Sequence, residues 1–389
     1  MITRLVVQNY RSIESLDLEL GDVTLFVGRN GSGKSNIIDA LRFVRDIMRH
    51  GLDKAVTDRH GMKSIRRWSR SHRHDVTIRV EVGGLLESSP DFKVEVIGGH
   101  FSLTLSSSGE KYFIRNESAS LVFITPDGTE EEASFERDKA GNVRVTENNL
   151  KRAARIDAEE LFIRSRERYF FEIIRGYIAN IGTYVIFPNT LRQAQKQSNE
   201  PHLASHGENL VSILRRMKTK KQDEALLEIN DAMRKVIPEL EGVTAHSLGG
   251  FLVPQFKMKT ADGGTFPFNV DQMSDGTLRV LGLLVALYQQ PAPATIALEE
   301  PEQTVHPGVL RVLAEAIEEV SDTRQILVTT HSPDLLDRFD PAQMSKRVIA
   351  VEMENGVTTA KPLNAAQIEA VRSNLFTLGQ LMSIEGLHG

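Results

Sequence analysis

Residues 28–35 read GRNGSGKS and residues 295–302 read TIALEEPE. The first stretch fits G-x-x-x-x-G-K-[ST] at every fixed position, and it lies between an apolar run, DVTLFVG (22–28), and a segment with Ile37, Ile38, Leu41, Val44 and Met48 at helical spacing. Gly28, Gly31 and Gly33 let successive backbone N–H groups turn to one side of a loop whose other members are Asn30 and Ser32. The N-terminus of the following helix adds its positive end, and Asn36 continues the motif. Lys34 supplies a full charge suited to β- and γ-phosphates, and the Ser35 hydroxyl suits Mg²⁺. The chemistry is that of a nucleoside triphosphate, ATP, with its metal.

In the second stretch an apolar run ends in two adjacent carboxylates, Glu299 and Glu300. Such a pair at the end of a buried strand is costly unless a metal, a cation or a reaction uses it. Near a phosphate loop, Glu299 can reach the metal through water, and Glu300 can orient or deprotonate an attacking water. A solvated acidic loop after an edge strand is the plainer alternative. QMSDGTLRV (272–280) places Ser274, Asp275 and Gly276 at the start of an apolar helix, a second place for an anion. QILVTTHSPDLLD (325–337) is a strand ending in His331, whose neutral imidazole can hydrogen-bond a γ-phosphate or a water. Singly, Ser274 reads as an N-cap and His331 as a loop residue; the order of all four motifs argues against coincidence.

The elements that must position these groups follow from periodicity. The first twenty residues alternate as two strands joined by a turn at NYRSIES. Residues 75–146 break into short alternating pieces separated by Gly, Asp and Ser, a meander of antiparallel strands. A mainly helical stretch is expected from about 150 to 180, a polar linker over 192–207 and a helical segment over 208–238. The last third alternates helix and strand at 277–289, 294–299, 308–321 and 325–330, which implies a parallel sheet. The composition, 40% apolar and 25% charged, is that of an ordinary globular protein. A net charge of −5 leaves nucleic-acid contact to a local patch. The absence of cysteine excludes disulfides and thiolate metal sites. The start lacks a signal-peptide core, and VLGLLVALY (280–288) is far too short to span a bilayer, so a cytoplasmic protein with no membrane partner is expected.

The motif order resembles that of the ATP-binding-cassette ATPases, and more narrowly the SMC, Rad50 and RecF branch together with the ATPase half of the overcoming-lysogenization-defect (OLD) nucleases. QNYRSIESLDLEL, GKSN, SDGT, EEPEQTVHP, THSP and FTLGQLMSIEGLHG carry the resemblance over most of the chain. It implies an α/β, bilobed head over 1–389, with a mixed or antiparallel sheet in the N-terminal lobe and a helix-covered parallel sheet carrying the phosphate-loop and Walker B strands. Residues 75–190 would be the strands and helices of lobe I, 192–240 the linker and helical segment, and 243–389 lobe II. Lys34 and Ser35 would be Walker A residues, Ser274 to Gly276 the signature, Glu299 the Walker B acid, Glu300 the catalytic glutamate, His306 a D-loop residue and His331 the switch histidine. Arg11 and Ser12 resemble the pair that approaches the nucleotide in related heads. Two heads would sandwich two ATP molecules head to tail, Ser274 of one serving the nucleotide on Lys34 of the other.

Several features depart from that pattern. Glu299 stands where Asp is usual, and the signature reads Ser-Asp-Gly rather than Ser-Gly-Gly. Gln193 and Gln195 are the candidates for a Q-loop. The basic stretch RHGMKSIRRWSRSHRH (59–74) offers Arg59, Lys63, Arg66, Arg67, Arg70 and Arg73 for DNA phosphates, with Trp68 to stack on a base. It reads equally as a solvated basic edge with Trp68 packed beneath it. KRAARIDAEELFIRSRER (151–168) is a second, acid-interrupted candidate. The expectation is a Mg·ATP-dependent ATPase that dimerises through its nucleotides. It would act in a bacterial phage-defence or DNA-transaction system through a separately encoded effector such as a nuclease or toxin. The alternative is an ATP-locked scaffold with little hydrolysis.

Overall fold

The structure is a computed structural model, and it describes residues 1–68, 74–86, 95–108, 111–147, 150–157, 159–165, 171–218, 223–340 and 347–385. Its contacts divide the chain into two compact units. The first comprises Met1–Gly21, Arg29–Ile181 and Val351–Lys361; the second comprises Asp22–Gly28, Gly182–Ala350 and Pro362–Gly389.

In chain order, β1 (Ile2–Tyr10) and β2 (Ile13–Glu19) form a hairpin in the first unit. β3 (Val23–Val27) belongs to the second unit. The chain then builds β4 (Val76–Leu86), β5 (Glu95–Ser108), β6 (Lys111–Ile124), β7 (Glu130–Arg137), β8 (Asn142–Glu147) and β9 (Leu150–Arg155) in the first. It returns to the second for β10 (Gly182–Tyr184), β11 (Leu240–Leu248), β12 (Phe251–Lys259), β13 (Thr265–Asn269), β14 (Thr295–Glu299) and β15 (Gln325–Thr330). β16 (Val348–Glu354) leads from the second unit into the first, where β17 (Val357–Pro362) begins.

The first unit is an antiparallel sheet in the order β2–β1–β4–β5–β6–β7–β8–β9, with β17 joined in parallel to β2 through Thr358 and Ile13. One face of the meander is apolar: Leu121, Phe123, Ala133, Phe135 and Val143 are fully or almost fully buried. Phe162 and Phe171 pack edge-on against Phe135. The helix Lys34–His50 buries Ile37, Ile38, Leu41, Val44 and Met48, the positions that its spacing marks. Its C-terminal carbonyls are held within this unit. Arg164 donates to Ile47 and Met48, and Arg175 donates to Met48.

Residues 150–155 differ from the expected helix: Leu150–Arg155 is a strand. The segment LKRAAR has no apolar face to bury, and all but Ala154 are exposed. Its backbone is instead satisfied by the ladder to β8, from Glu147↔Leu150 to Asn142↔Arg155.

The second unit holds a parallel sheet in the order β10–β14–β15–β3–β16, with every residue of β3, β14 and β15 buried. Continuous burial explains why these strands read as apolar runs rather than alternating ones. The helices Asp275–Tyr288 and Leu310–Ser321 contribute their apolar faces to the same core, and a three-stranded antiparallel sheet, β11–β12–β13, completes the unit. This is the α/β fold expected, antiparallel in one unit and parallel in the other.

Candidate functional site

The parallel register sets the first geometric fact. Glu299 pairs with Thr329, Thr329 with Phe26, and Thr330 with Val27, so β14, β15 and β3 end side by side. The Gly28 N–H donates to the Thr330 carbonyl at 3.3 Å. The carboxyl ends of adjacent parallel strands are where open α/β sheets bind ligands. Here those ends carry Glu299 and Glu300, His331, and the first residue of the glycine-rich loop.

Glu300 is left-handed, with φ 44°, a conformation that costs a residue with a side chain about 1–2 kcal/mol. Both of its backbone groups are pinned. Its N–H donates to the Thr329 carbonyl at 2.9 Å, and its carbonyl accepts from Arg279 Nη2 at 2.9 Å. Strain that the surroundings over-determine in this way is characteristic of functional positions. Arg279 is 2% exposed, comes from the helix that Ser274 caps, and also donates to the Ile186 carbonyl at 2.8 Å. Burial lowers its guanidinium from the ordinary value, and Glu302 and Glu300 oppose that effect.

His331 lies between two acids: its Nδ1 is 3.7 Å from Glu300 Oε1 and 3.2 Å from Glu302 Oε1. Glu302 is 8% exposed and organises this corner, since its Oε1 accepts from Thr330 Oγ1 at 2.8 Å and from the His331 N–H at 3.0 Å. The Glu300 side chain is hydrogen-bonded to Gln303. Glu299 is buried at the end of β14. The arrangement can place a carboxylate and an imidazole on one water or phosphate oxygen.

Ser274 caps its helix, accepting from the Thr277 N–H at 3.2 Å. Asp275 pairs with Arg192 Nη1 at 2.6 Å, and Arg192 Nη2 also holds the Met273 carbonyl. Gly276 is required by close approach, because a Cβ there would stand 2.7 Å from the Thr304 carbonyl oxygen. His306 caps the turn Pro307–Val309 by accepting from Gly308 N–H.

In the first unit, Lys34 is 3% exposed and its Nζ donates to the Arg29 carbonyl at 2.9 Å. Ser35, Arg29, Asn30 and Gly31 are exposed. Ser32 is buried, and its Oγ lacks a hydrogen-bond partner among the described residues, an orphan that a phosphate oxygen would satisfy. An ammonium parked on a loop carbonyl, an orphan hydroxyl and a glycine-rich turn fit a polyphosphate. Ser12 and Asn36 are joined, Asn36 Nδ2 donating to Ser12 Oγ at 2.6 Å. Arg11, with φ 49°, turns its guanidinium to Asp39 at 2.8 Å. Asp39 also takes Tyr10 and Arg59. Burial would raise its carboxyl, and the Arg59 and Arg11 charges override it and hold the carboxyl below the usual range.

Two expectations are corrected. Arg59 does not offer itself to DNA: its side chain is 6% exposed, paired with Asp39 at 3.2 Å and Asp46 at 3.0 Å, and lies over the Phe43 ring. The two acids sit seven residues apart on the inward face of the helix Lys34–His50 and need an internal cation. Gln195 is not a free Q-loop side chain: its amide donates to the Gly207 carbonyl and accepts from the Val211 N–H, tying together a stretch that reads as a polar linker. Gln193 is exposed. Of the other basic residues, Lys63 is exposed, Arg66 donates to Ser107 Oγ and Arg67 pairs with Glu14, while Arg70 and Arg73 lie outside the described residues. Trp68 is 75% exposed rather than packed beneath the stretch. Sequence reasoning missed Arg279, Glu302 and Thr358. For Arg279 a signal existed, a lone cation within an otherwise apolar helix.

The family described as "AAA domain, putative AbiEii toxin, Type IV TA system" matches residues 23–337. "Endonuclease GajA" of Bacillus cereus is 22% identical over 365 residues, covering 88% of this chain and 57% of that protein. "OLD nuclease" of Thermus scotoductus is 24% identical over 365 residues, covering 89% and 62%. The chain thus spans less than two thirds of the length of these curated relatives. A solved SMC head, bound to the C-winged helix domain of ScpA, superposes with a TM-score of 0.54 at 14% identity, covering 94% of this chain and 99% of that one. These likenesses bear out the expected ABC-type ATPase of the SMC- and OLD-like branch. No helix among the described residues is long and apolar enough to cross a membrane.

Proposed function

The chain belongs to the AAA domain family that its residues 23–337 match, and from that membership we propose that it binds Mg·ATP and hydrolyses it as a head-to-tail homodimer. Lys34 and the loop N–H groups would hold the phosphates, Ser35 and Glu299 would each be a metal ligand, and Ser274 to Gly276 would complete the nucleotide site of the opposite copy. The bound metal supplies charge neutralisation for phosphoryl transfer. Glu300 orients and deprotonates the attacking water, and His331 hydrogen-bonds the terminal phosphate or that water.

The observation that carries the reading is the strained backbone of Glu300, fixed by Thr329 and Arg279 with the His331 imidazole 3.7 Å from its carboxylate. A strained, over-determined acid at the end of a parallel strand serves chemistry better than it serves stability. We place the protein in a phage-defence or DNA-transaction system whose effector, a nuclease or toxin, is encoded separately. The endonuclease and nuclease names of the two relatives and the toxin named in the family description support that class of effector.

An ATP-locked scaffold is the second reading. The hydrogen bond from Gln303 occupies the Glu300 carboxylate and favours a resting state that turns over slowly. Steady-state ATP turnover by the wild type against Glu300→Gln and Lys34→Ala decides between them. Turnover that collapses in Glu300→Gln, with ATP binding lost only in Lys34→Ala, is the expected result. Bound ATP with negligible turnover in the wild type selects the scaffold, and unchanged binding in Lys34→Ala overturns both.

A further inference from the structure

We propose that Thr358, which lies outside every motif above, is a positioning residue that aims a phosphate-binding N–H of the loop from behind. The inference rests on the ATP-binding reading of that loop. Thr358 lies on β17 and is 1% exposed. Its N–H donates to the Ser12 carbonyl at 2.9 Å. Its Oγ1 is 2.6 Å from Ser12 Oγ and 3.2 Å from the carbonyl oxygen of Ser32, inside the loop.

The direction of these bonds follows from counting protons. A hydroxyl has one proton to give, and a carbonyl can only accept. The Thr358 proton therefore lies on the bond to Ser32. Ser12 Oγ already accepts from Asn36 Nδ2 at 2.6 Å, so the Ser12 proton bridges to Thr358. The chain runs one way: Asn36 amide to Ser12, Ser12 to Thr358, Thr358 to the Ser32 carbonyl.

Peptide geometry turns this chain into an aiming device. The peptide between Ser32 and Gly33 is planar and trans, so its C=O and N–H point in opposite directions. Holding the carbonyl against Thr358 turns the Gly33 N–H to the other side, and that N–H has no partner among the described residues. Gly33 has φ 100°, and a Cβ on it would stand 2.0 Å from Thr358 Oγ1. The glycine and the threonine are thus one requirement: the hydroxyl occupies the space that any side chain at 33 would take. Ser12 and Asn36 become relays that hold the loop, with the Ser12 hydroxyl fully engaged before any nucleotide arrives.

The test uses the full chain and calorimetric titration with Mg·ATP, beside thermal unfolding of each variant. Thr358→Val keeps the shape and deletes the chain's last donor. It should weaken ATP binding about tenfold, the scale of one lost oriented hydrogen bond, while the variant still unfolds cooperatively at a midpoint lowered by a few degrees, because the Ser32 carbonyl is left unsatisfied. Thr358→Ser should restore affinity to within about twofold. Wild-type affinity in Thr358→Val, or equal losses in the Val and Ser variants, overturns the proposal. If Thr358→Val fails to fold, Ser12→Ala removes the donor into Thr358 and should weaken binding about threefold; unchanged affinity there overturns it equally. Lys34→Ala is the control, since normal ATP binding by that variant would sink the nucleotide reading itself rather than the role of Thr358.

Discussion

Glu117 on β6 is fully buried, and its two carboxylate oxygens accept the N–H groups of Phe162 at 2.8 Å and Ile163 at 2.9 Å. Burial pushes its carboxyl up to about 7 from 4.5, although those two bonds and the charge of Arg137 pull the other way. The folded chain therefore keeps a proton that the unfolded chain has given up. The resulting stability is fully present below the unfolded value and is lost as pH rises through the folded one. At about 1.4 kcal/mol per unit the whole contribution is about 3 kcal/mol, and most of it disappears between about pH 5 and pH 8.

Glu117→Gln keeps the shape and cannot titrate, so the wild-type-minus-variant unfolding free energy should fall by that amount across the window. The difference is the quantity to measure, because His100 works in the opposite sense. Burial, with Arg79 adding to it, lowers its imidazole to about 4 from 6.5, so its contribution is present at high pH and lost on acidification. Subtraction cancels His100 and leaves Glu117. Urea denaturation followed by circular dichroism at stepped pH supplies the free energies. A difference that stays flat from pH 5 to pH 8 refutes the assignment of a protonated, buried Glu117. The consequence reaches the nucleotide loop: Phe162 and Ile163 lead directly into Arg164, whose Nη1 holds the Ile47 and Met48 carbonyls at the end of the helix that the loop begins.

Arg279→Met should lower the rate constant for ATP hydrolysis about tenfold with ATP affinity retained, because it frees the Glu300 carbonyl without touching the loop; parallel losses of rate and affinity would contradict this. Arg59→Met should destabilise the chain by about 3 kcal/mol in denaturant, as expected when one partner of a buried ion pair is removed. We propose Lys63 as a DNA-phosphate contact of the basic stretch: in a salt titration of DNA binding, Lys63→Ala should weaken binding and lower its salt dependence by about one ion, Arg59→Met should leave the salt slope unchanged, and no DNA binding by the wild type refutes the contact.

What could be read from the residues alone was whatever chemistry forces to be contiguous. A phosphate loop needs its glycines, lysine and hydroxyl within one turn of chain, and a buried strand that ends in acids announces itself because burial makes it uniformly apolar. Glu299, Glu300 and His331 therefore stood out, and the register of β14, β15 and β3 brings their strand ends together. Arg59 was misread for a related reason: counting cations along 59–74 cannot tell a solvated guanidinium from one that neutralises Asp39 and Asp46, although two acids on an apolar helical face do ask for an internal partner. Glu302 looked like one more acid in a polar loop until the pairing of β14 with β15 set it under Thr330 and the His331 N–H. Thr358 is the limiting case. It lies 326 residues from Ser32, in a segment, VTTAKP, with nothing to distinguish it from an ordinary strand. A group that binds a ligand is selected for its chemistry and so has a recognisable type and spacing. One that only aims another needs no more than a proton in the right place, and any hydroxyl that the topology delivers there will serve.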